Sequence, residues 1–273
     1  MNTLRKLSLL VFFVLTGHLN AQEFTGEATY KTHRKVNIKI DSSKSKISTD
    51  QQKQFNEQLK KQFQKTFMLS FSKEESLYKQ EEALAKPNPM GNAAQIVFSS
   101  NTDVLYKNIK TQTYVEQTDI LSKSFLIKDS IKDIAWQLEN ETKNIGNYTC
   151  FKATYTYQHP IRDFENDKDS LRFEARKITA WYTPQIPVSN GPELYQGLPG
   201  LILEINDGQQ TIICSKIQIN PKKTNKIEAP DTGKEVTQTE FDTIKDQKNK
   251  EFLERYGVKS KDGSNRIEIN LGD

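Results

Sequence analysis

A mainly β fold is predicted by three observations. Apolar residues recur at every second position through much of the chain, turn residues punctuate these runs, and no long helical crossover separates successive strands. The economical architecture is a broad, curved, mostly antiparallel sheet, an open barrel or a sandwich, with one or two peripheral helices. A length of 273 residues alone permits one large or two small domains. The pattern favours a signal peptide over residues 1–21 and one β-rich domain over residues 22–273. Within that domain, residues 220–273 read as a peripheral connector, helix and tail.

The first 21 residues stand apart. Arg5 and Lys6 precede a mostly apolar run over residues 7–15, broken by Ser8, and the segment ends on Ala21. A basic start, a short apolar core and a final small residue make a secretory signal, although Leu19 occupies a position that is usually small. No cysteine is near enough to carry a lipid anchor. The segment therefore predicts export from the cytoplasm. Without Arg5 and Lys6 the net charge falls from +4 to +2. With 27% charged residues this is a nearly balanced surface, which does not point to nucleic acid. No later run approaches the 18–20 apolar residues of a membrane-crossing helix.

In chain order, Gly26, Ala28 and Tyr30, then Val36, Ile38 and Ile40, alternate as a strand pair or one interrupted strand. Phe55, Leu59 and Phe63 recur every four residues within the Lys/Gln-rich stretch 51–65. That spacing predicts a short helix covering the sheet, in preference to a membrane or nucleic-acid helix, because Glu57 interrupts its basic side. Phe67, Leu69 and Phe71 begin a strand, and Leu77-Tyr78 opens another. Residues 85–94, with Pro87, Pro89 and Gly91, read as a loop. Strands are expected at 95–99, 104–108, 111–117 and 124–127, with polar punctuation over 129–133.

The middle carries the clearest alternation. A strand is expected at 134–138, and another where Phe151, Ala153, Tyr155 and Tyr157 share a face opposite Cys150. Residues 159–170 read as a charged loop. Leu171, Phe173 and Ala175 alternate on one parity and Ile178, Ala180 and Tyr182 on the other, which predicts a bulge near Arg176-Lys177. Pro184 and Pro187 end the strand. Strands at 201–205 and 211–219 flank Asn206-Asp207-Gly208, a hairpin signal. The second has apolar residues on both faces, as a central strand does. Residues 220–237 form a connector, residues 241–256 a helix capped by Gly257, and residues 267–271 an edge strand or tail.

Cys150 and Cys214 are the only cysteines, and they read as one disulfide or as two buried thiols. His33 and His159 share no ligand spacing with them, so neither zinc nor a cysteine nucleophile is supported. No cofactor motif is present. Glu193, Glu204 and Asp207 form no readable carboxylate pair. Trp136, Trp181, Tyr182 and Tyr195 are candidate contacts for a peptide, a sugar or a lipid-like ligand, and otherwise anchor the core. Arg176 and Lys177 are candidate contacts for an anionic group, and otherwise remain solvated.

The most distinctive stretch is 179–205, with Gly197-Leu198-Pro199-Gly200-Leu201-Ile202 at its centre. Together with residues 136–153, which contain Gly146-Asn147-Tyr148-Thr149-Cys150, it resembles the GLPGLI family of exported Bacteroidota proteins. Looser matches at 69–78 and 125–129 extend the resemblance over roughly residues 24–220. What it implies is an exported envelope protein, in the periplasm, at the outer membrane or outside the cell, with no reaction to assign to any residue. In physical terms, Gly197 and Gly200 supply positive φ or close backbone approach, and Pro199 fixes the angle between them. Leu198 and residues 201–203 then enter the core. The loop forms either a ligand mouth or a rigid corner. It is no phosphate loop, since it lacks the Gly-Lys-Ser/Thr ending. The expected role is non-enzymatic binding of an envelope protein, peptide or lipid-like ligand. The alternatives are an assembly partner of an outer-membrane complex and an envelope hydrolase.

Overall fold

The computed structural model describes residues 24–34, 64–81, 104–163, 170–223 and 225–256. Twelve strands join one sheet: β1 (Gly26–Arg34), β2 (Thr66–Phe71), β3 (Glu75–Gln80), β4 (Val104–Asn108), β5 (Thr113–Ile120), β6 (Lys123–Ser130), β7 (Gln137–Ile145), β8 (Tyr148–Asp163), β9 (Ser170–Thr183), β10 (Leu201–Asn206), β11 (Gln210–Ile219) and β12 (Lys234–Val236). The spatial order is β12-β6-β5-β4-β3-β2-β1-β11-β10-β9-β8-β7. Every pairing is antiparallel except that of β12 with β6. The end strands do not pair, so the sheet is open. Helix α1 (Gln238–Tyr256) follows β12 and lays Phe241 edge-on against Phe125 at 5.6 Å.

Two cross-strand rows build the inner face. One runs Ile127, Glu116, Leu105, Tyr78, Leu69 and Ala28. The next runs Asp129, Tyr114, Lys107, Ser76, Phe71 and Gly26. Tyr30, Ile212 and Cys214 continue the face across β1 and β11, and Ile205, Ala180 and Ala153 carry it to β8. The sheet must curl strongly. β4 and β9 are six strands apart, about 29 Å if flat at about 4.8 Å per step. Leu105 of β4 and Ile178 of β9 nevertheless line one cleft. Residues 184–200 fill the hollow, burying Ile186, Val188 and Leu198.

Several expectations shift. Ile134 and Trp136 precede β7 in an irregular segment, because the Trp136 side chain is drawn to the 184–200 loop. β8 and β9 extend into the stretch read as a charged loop, reaching Asp163 and resuming at Ser170. No bulge lies near Arg176-Lys177, since β8 and β9 pair without a break from Phe151↔Tyr182 to Asp163↔Ser170. Phe173, 62% exposed, sits on the projecting end of this hairpin, where no core selects a face. The irregularity falls instead between Ile202 and Glu204, where β10 meets β9. The 220–237 connector contains β12, and β6 runs on to Ser130. The helix read over 51–65 lies outside the described residues apart from Gln64 and Lys65, which are irregular. The strand at 95–99, the Gly257 cap and the strand at 267–271 lie wholly outside them.

The hairpin at Asn206-Asp207-Gly208 forms as read. Gly208 has φ +91°, and Asp207 Oδ1 accepts from the amides of Gln209 and Gln210. β11 is central, as its two apolar faces require. At one edge of the sheet, β7 carries Glu139 and Glu141, both paired with Lys152. Charge on an edge strand opposes sheet-to-sheet association.

Candidate functional site

The 184–200 loop is held by groups from opposite ends of the sheet. Pro184, Pro187, Pro192 and Pro199 keep it from joining a ladder. Ile186, Val188 and Asn190 point inward in alternation, and the amides of Leu201 and Ile202 bond back to the carbonyls of Ile186 and Asn190 at 3.0 and 2.9 Å. From β4, the wholly buried Lys107 reaches under the loop. Its Nζ donates to the Gly191 carbonyl at 2.9 Å and the Tyr195 carbonyl at 3.4 Å. Gln196 donates to Gln112 Oε1 in the β4–β5 turn, and Trp136 Nε1 donates to the Gln196 carbonyl at 2.7 Å. On β1, the Tyr30 hydroxyl donates to the Ile202 carbonyl at 2.6 Å.

Beside this loop opens a cleft of about 480 Å³. That lies within the usual range for small-molecule sites. β2, β3 and β4 provide Phe67, Tyr78 and Leu105, β8 and β9 provide Tyr155, Tyr157 and Ile178, and the loop provides Glu193, Leu194 and Tyr195. Glu116 and Ile134 complete the lining. The rings are ordered against one another: Phe67 stacks on Tyr78 at 4.8 Å, and Tyr155 stacks on Tyr157 at 5.9 Å. The buried Tyr78 hydroxyl has no hydrogen-bond partner among the described residues. An unsatisfied buried hydroxyl costs about 1–3 kcal/mol, so a partner for this one would add stability.

Electrostatics single out two groups. Burial brings the Lys107 ammonium down to about 7, against a smaller upward pull from Glu193. Burial, reinforced by Asp207, pushes the Glu193 carboxyl up to about 7, while Gln210, Lys107 and Arg34 pull the other way. Burial also raises Tyr78 and Tyr195, and Glu193 adds to both, so their phenols stay protonated.

These shifts set a pH dependence. From the ordinary value of 4.5 up to about 7, the folded chain holds a Glu193 proton that the unfolded chain has lost, so stability falls as pH rises. From about 7 toward 10.5, the unfolded chain holds a Lys107 proton that the folded chain lacks, so stability rises. Burial raises the Cys150 and Cys214 thiols to about 11 and about 12, which reverses the gain above their ordinary value of 9.0. Urea unfolding should therefore give a lower midpoint near pH 7 than at either about pH 5.5 or about pH 8.5. Glu193→Gln should remove the fall on the acid side. A midpoint that changes in one direction only across this window would contradict the assignment.

The residues singled out in the sequence separate onto two faces. Tyr195 lines the cleft. Tyr182 is buried on the same face, against Phe151 at 6.1 Å, and Arg176 shares its parity farther out on β9. Trp181 faces the other way, with the Lys143 ammonium 4.4 Å over its ring and that ammonium 2.7 Å from Glu204. Lys177 shares that outer face and lies 3.8 Å from Glu139. Trp136 packs near the cleft, 6.4 Å from Tyr195. Of the glycine-rich string, Leu198, Leu201 and Ile202 are buried, and Gly197 carries φ +90°. Cys150 and Cys214 are free, buried thiols in this structure.

Lys107, Glu193, Tyr78 and Glu116 were not read as site residues. The available signal was the parity that Lys107 shares with Leu105 and Glu116 with Tyr114, and Glu193, in a loop, carried none. Among the described residues, no group of three His, Cys, Asp or Glu side chains is placed to hold a metal ion. No described helix is long and apolar enough to cross a membrane.

A family model described as "Protein of unknown function (Porph_ging)" matches residues 136–204. The matched stretch runs from Trp136 through the whole 184–200 loop and contains the β8, β9 and loop walls of the cleft. Two solved chains, described as the structure of PNGF-II in the C2 and P21 space groups, are similar, with TM-scores of 0.46 and 0.45. Each is 15% identical, and the match covers 81% of this chain and 32% of the other. This chain thus spans about a third of their length. No curated protein matches the sequence.

Proposed function

We propose that this chain is an exported, non-enzymatic envelope protein of the GLPGLI type that holds a ligand in the cleft beside its 184–200 loop. The observation that carries the reading is a cleft walled by ordered aromatic rings, with the partnerless Tyr78 hydroxyl buried in its wall. A stable fold gains by pairing such a group or removing it, and a ligand would supply the pairing. The glycine/proline string fits this role as the rigid support that aims Glu193, Leu194 and Tyr195. Export is supported by the basic and then apolar pattern of residues 1–21, and the family type by the string at residues 197–202.

Native mass spectrometry of protein purified from its own envelope provides the test. The expected result is a mass above that of the polypeptide, lost in Tyr157→Ala, which removes one ring of the wall. Bare polypeptide throughout, or a co-purifying protein with nothing in the cleft, would overturn the reading. The second result would favour an assembly partner instead.

A further inference from the structure

The chemistry of the lining narrows the ligand. Among the described residues it offers two carboxylates, Glu116 and Glu193, and four phenols, Tyr78, Tyr155, Tyr157 and Tyr195, and no Lys, Arg or His side chain. The nearby cations do not open onto it. Lys107 spends its ammonium on the Gly191 and Tyr195 carbonyls, and Arg34, although close enough to act on Glu193, is not part of the lining. Asp207 adds a further negative charge near Glu193, whose Oε1 accepts from Gln210 at 3.3 Å. An anionic ligand would meet no cation among the described lining residues. A neutral hydroxyl would satisfy Tyr78 and do nothing for the Glu193 carboxyl, whose ionised form burial disfavours. A cation answers both, because its N–H groups donate to a carboxylate and to a phenol oxygen alike, and its charge sits well over electron-rich rings. The outer face already contains such a clamp in Lys143, held between the Trp181 ring and Glu204.

We propose, resting on the cleft as the binding site, that it takes an organic cation: an alkylammonium or guanidinium group seated between Glu193 and the tyrosine rings, with Tyr78 Oη accepting one of its N–H groups. A free amine, or a Lys or Arg side chain of a peptide, would supply the cation.

The test is calorimetric titration of the purified chain with matched probes: butylammonium, butylguanidinium, butanol and butanesulfonate. A Gly-Lys-Gly peptide and its norleucine counterpart extend the series. The cations should bind at least about tenfold more tightly than butanol, and butanesulfonate should not bind. Glu193→Gln, which keeps side-chain shape and the Gln210 contact, should cost the cations about tenfold and leave butanol unchanged. Tyr78→Phe should weaken the cations about threefold without lowering the urea midpoint of the free protein, because the hydroxyl it removes is unpaired there. Tighter binding of the lysine peptide than of butylammonium would identify a peptide source, and equal binding a free amine. Butanol binding as tightly as the cations, with Glu193→Gln silent, would overturn the cation and leave the cleft standing. Binding of none of the probes, with no mass retained in the native preparation, would overturn both.

Discussion

Gly200→Ala should abolish the fold or reduce its stability by about 4 kcal/mol, among the largest effects of any single methyl group in this chain. A Cβ at this position would lie 2.2 Å from the Thr183 carbonyl oxygen, 2.5 Å from its carbon and 2.8 Å from the Pro184 nitrogen. All three are backbone atoms, so no rotamer change relieves the overlap. Backbone movement there is resisted from both sides, since Thr183 ends β9 and Leu201 begins β10, its amide bonded to Ile186. Gly208→Ala is the control. Its φ of +91° is equally unsuited to a side chain, yet nothing lies within 4 Å of the added carbon. It should cost about 1 kcal/mol, the price of backbone strain alone. Urea unfolding of the two variants separates close approach from conformational preference. Similar losses in both would show that the 183–184 backbone can yield and that residues 197–202 are not a tight corner.

The same contrast explains what was readable in advance. Alternation located β1, β2 and β8, because each passes through a core that rewards one face, and the Asn206-Asp207-Gly208 turn located the β10–β11 hairpin. A change of parity implied a bulge near Arg176-Lys177 that is absent, because residues 172–175 project beyond the core. Alternation also put Trp136 in a strand, where one hydrogen bond to Gln196 outweighs strand propensity. β4 shows why the site was harder to find than the fold. In Val104-Leu105-Tyr106-Lys107-Asn108 the apolar alternation of Val104 and Tyr106 argues for that parity facing inward. The structure buries Leu105 and Lys107 instead, because the 184–200 loop presents the Gly191 and Tyr195 carbonyls to the ammonium. Those carbonyls lie more than eighty positions along the chain. The cleft depends in the same way on curvature that brings β4 near β9, which a strand list does not contain. Trp181 and Tyr182 were grouped as neighbours in sequence, and pleating sends them to opposite faces.

Lys107→Met should lower stability by about 2 kcal/mol at neutral pH, and Lys107→Ala by about 4. The pair distinguishes two reasons for burying a lysine. If the side chain only filled space, methionine would replace it at little cost, and relief of the buried charge would favour the variant. If its donors hold the loop, methionine restores the volume and leaves the Gly191 and Tyr195 carbonyls without the ammonium, at about 1–3 kcal/mol for a buried acceptor. Alanine adds a cavity to that loss. The effect should be local before it is global. Amide exchange across residues 191–196 should quicken in Lys107→Met while β10 and β11 stay protected, because the loop loses its tie to β4 and the hairpin keeps its ladder. Glu193, Leu194 and Tyr195 ride on that tie, so cation affinity should fall with it even though Lys107 does not line the cleft. The methionine variant should also lose the rise in stability between about pH 7 and about pH 9, since no other group with a resolved shift supplies a gain in that window. A methionine variant as stable as the parent, with unchanged exchange in the loop, would reduce Lys107 to packing and leave the loop held by Gln112, Trp136 and Tyr30.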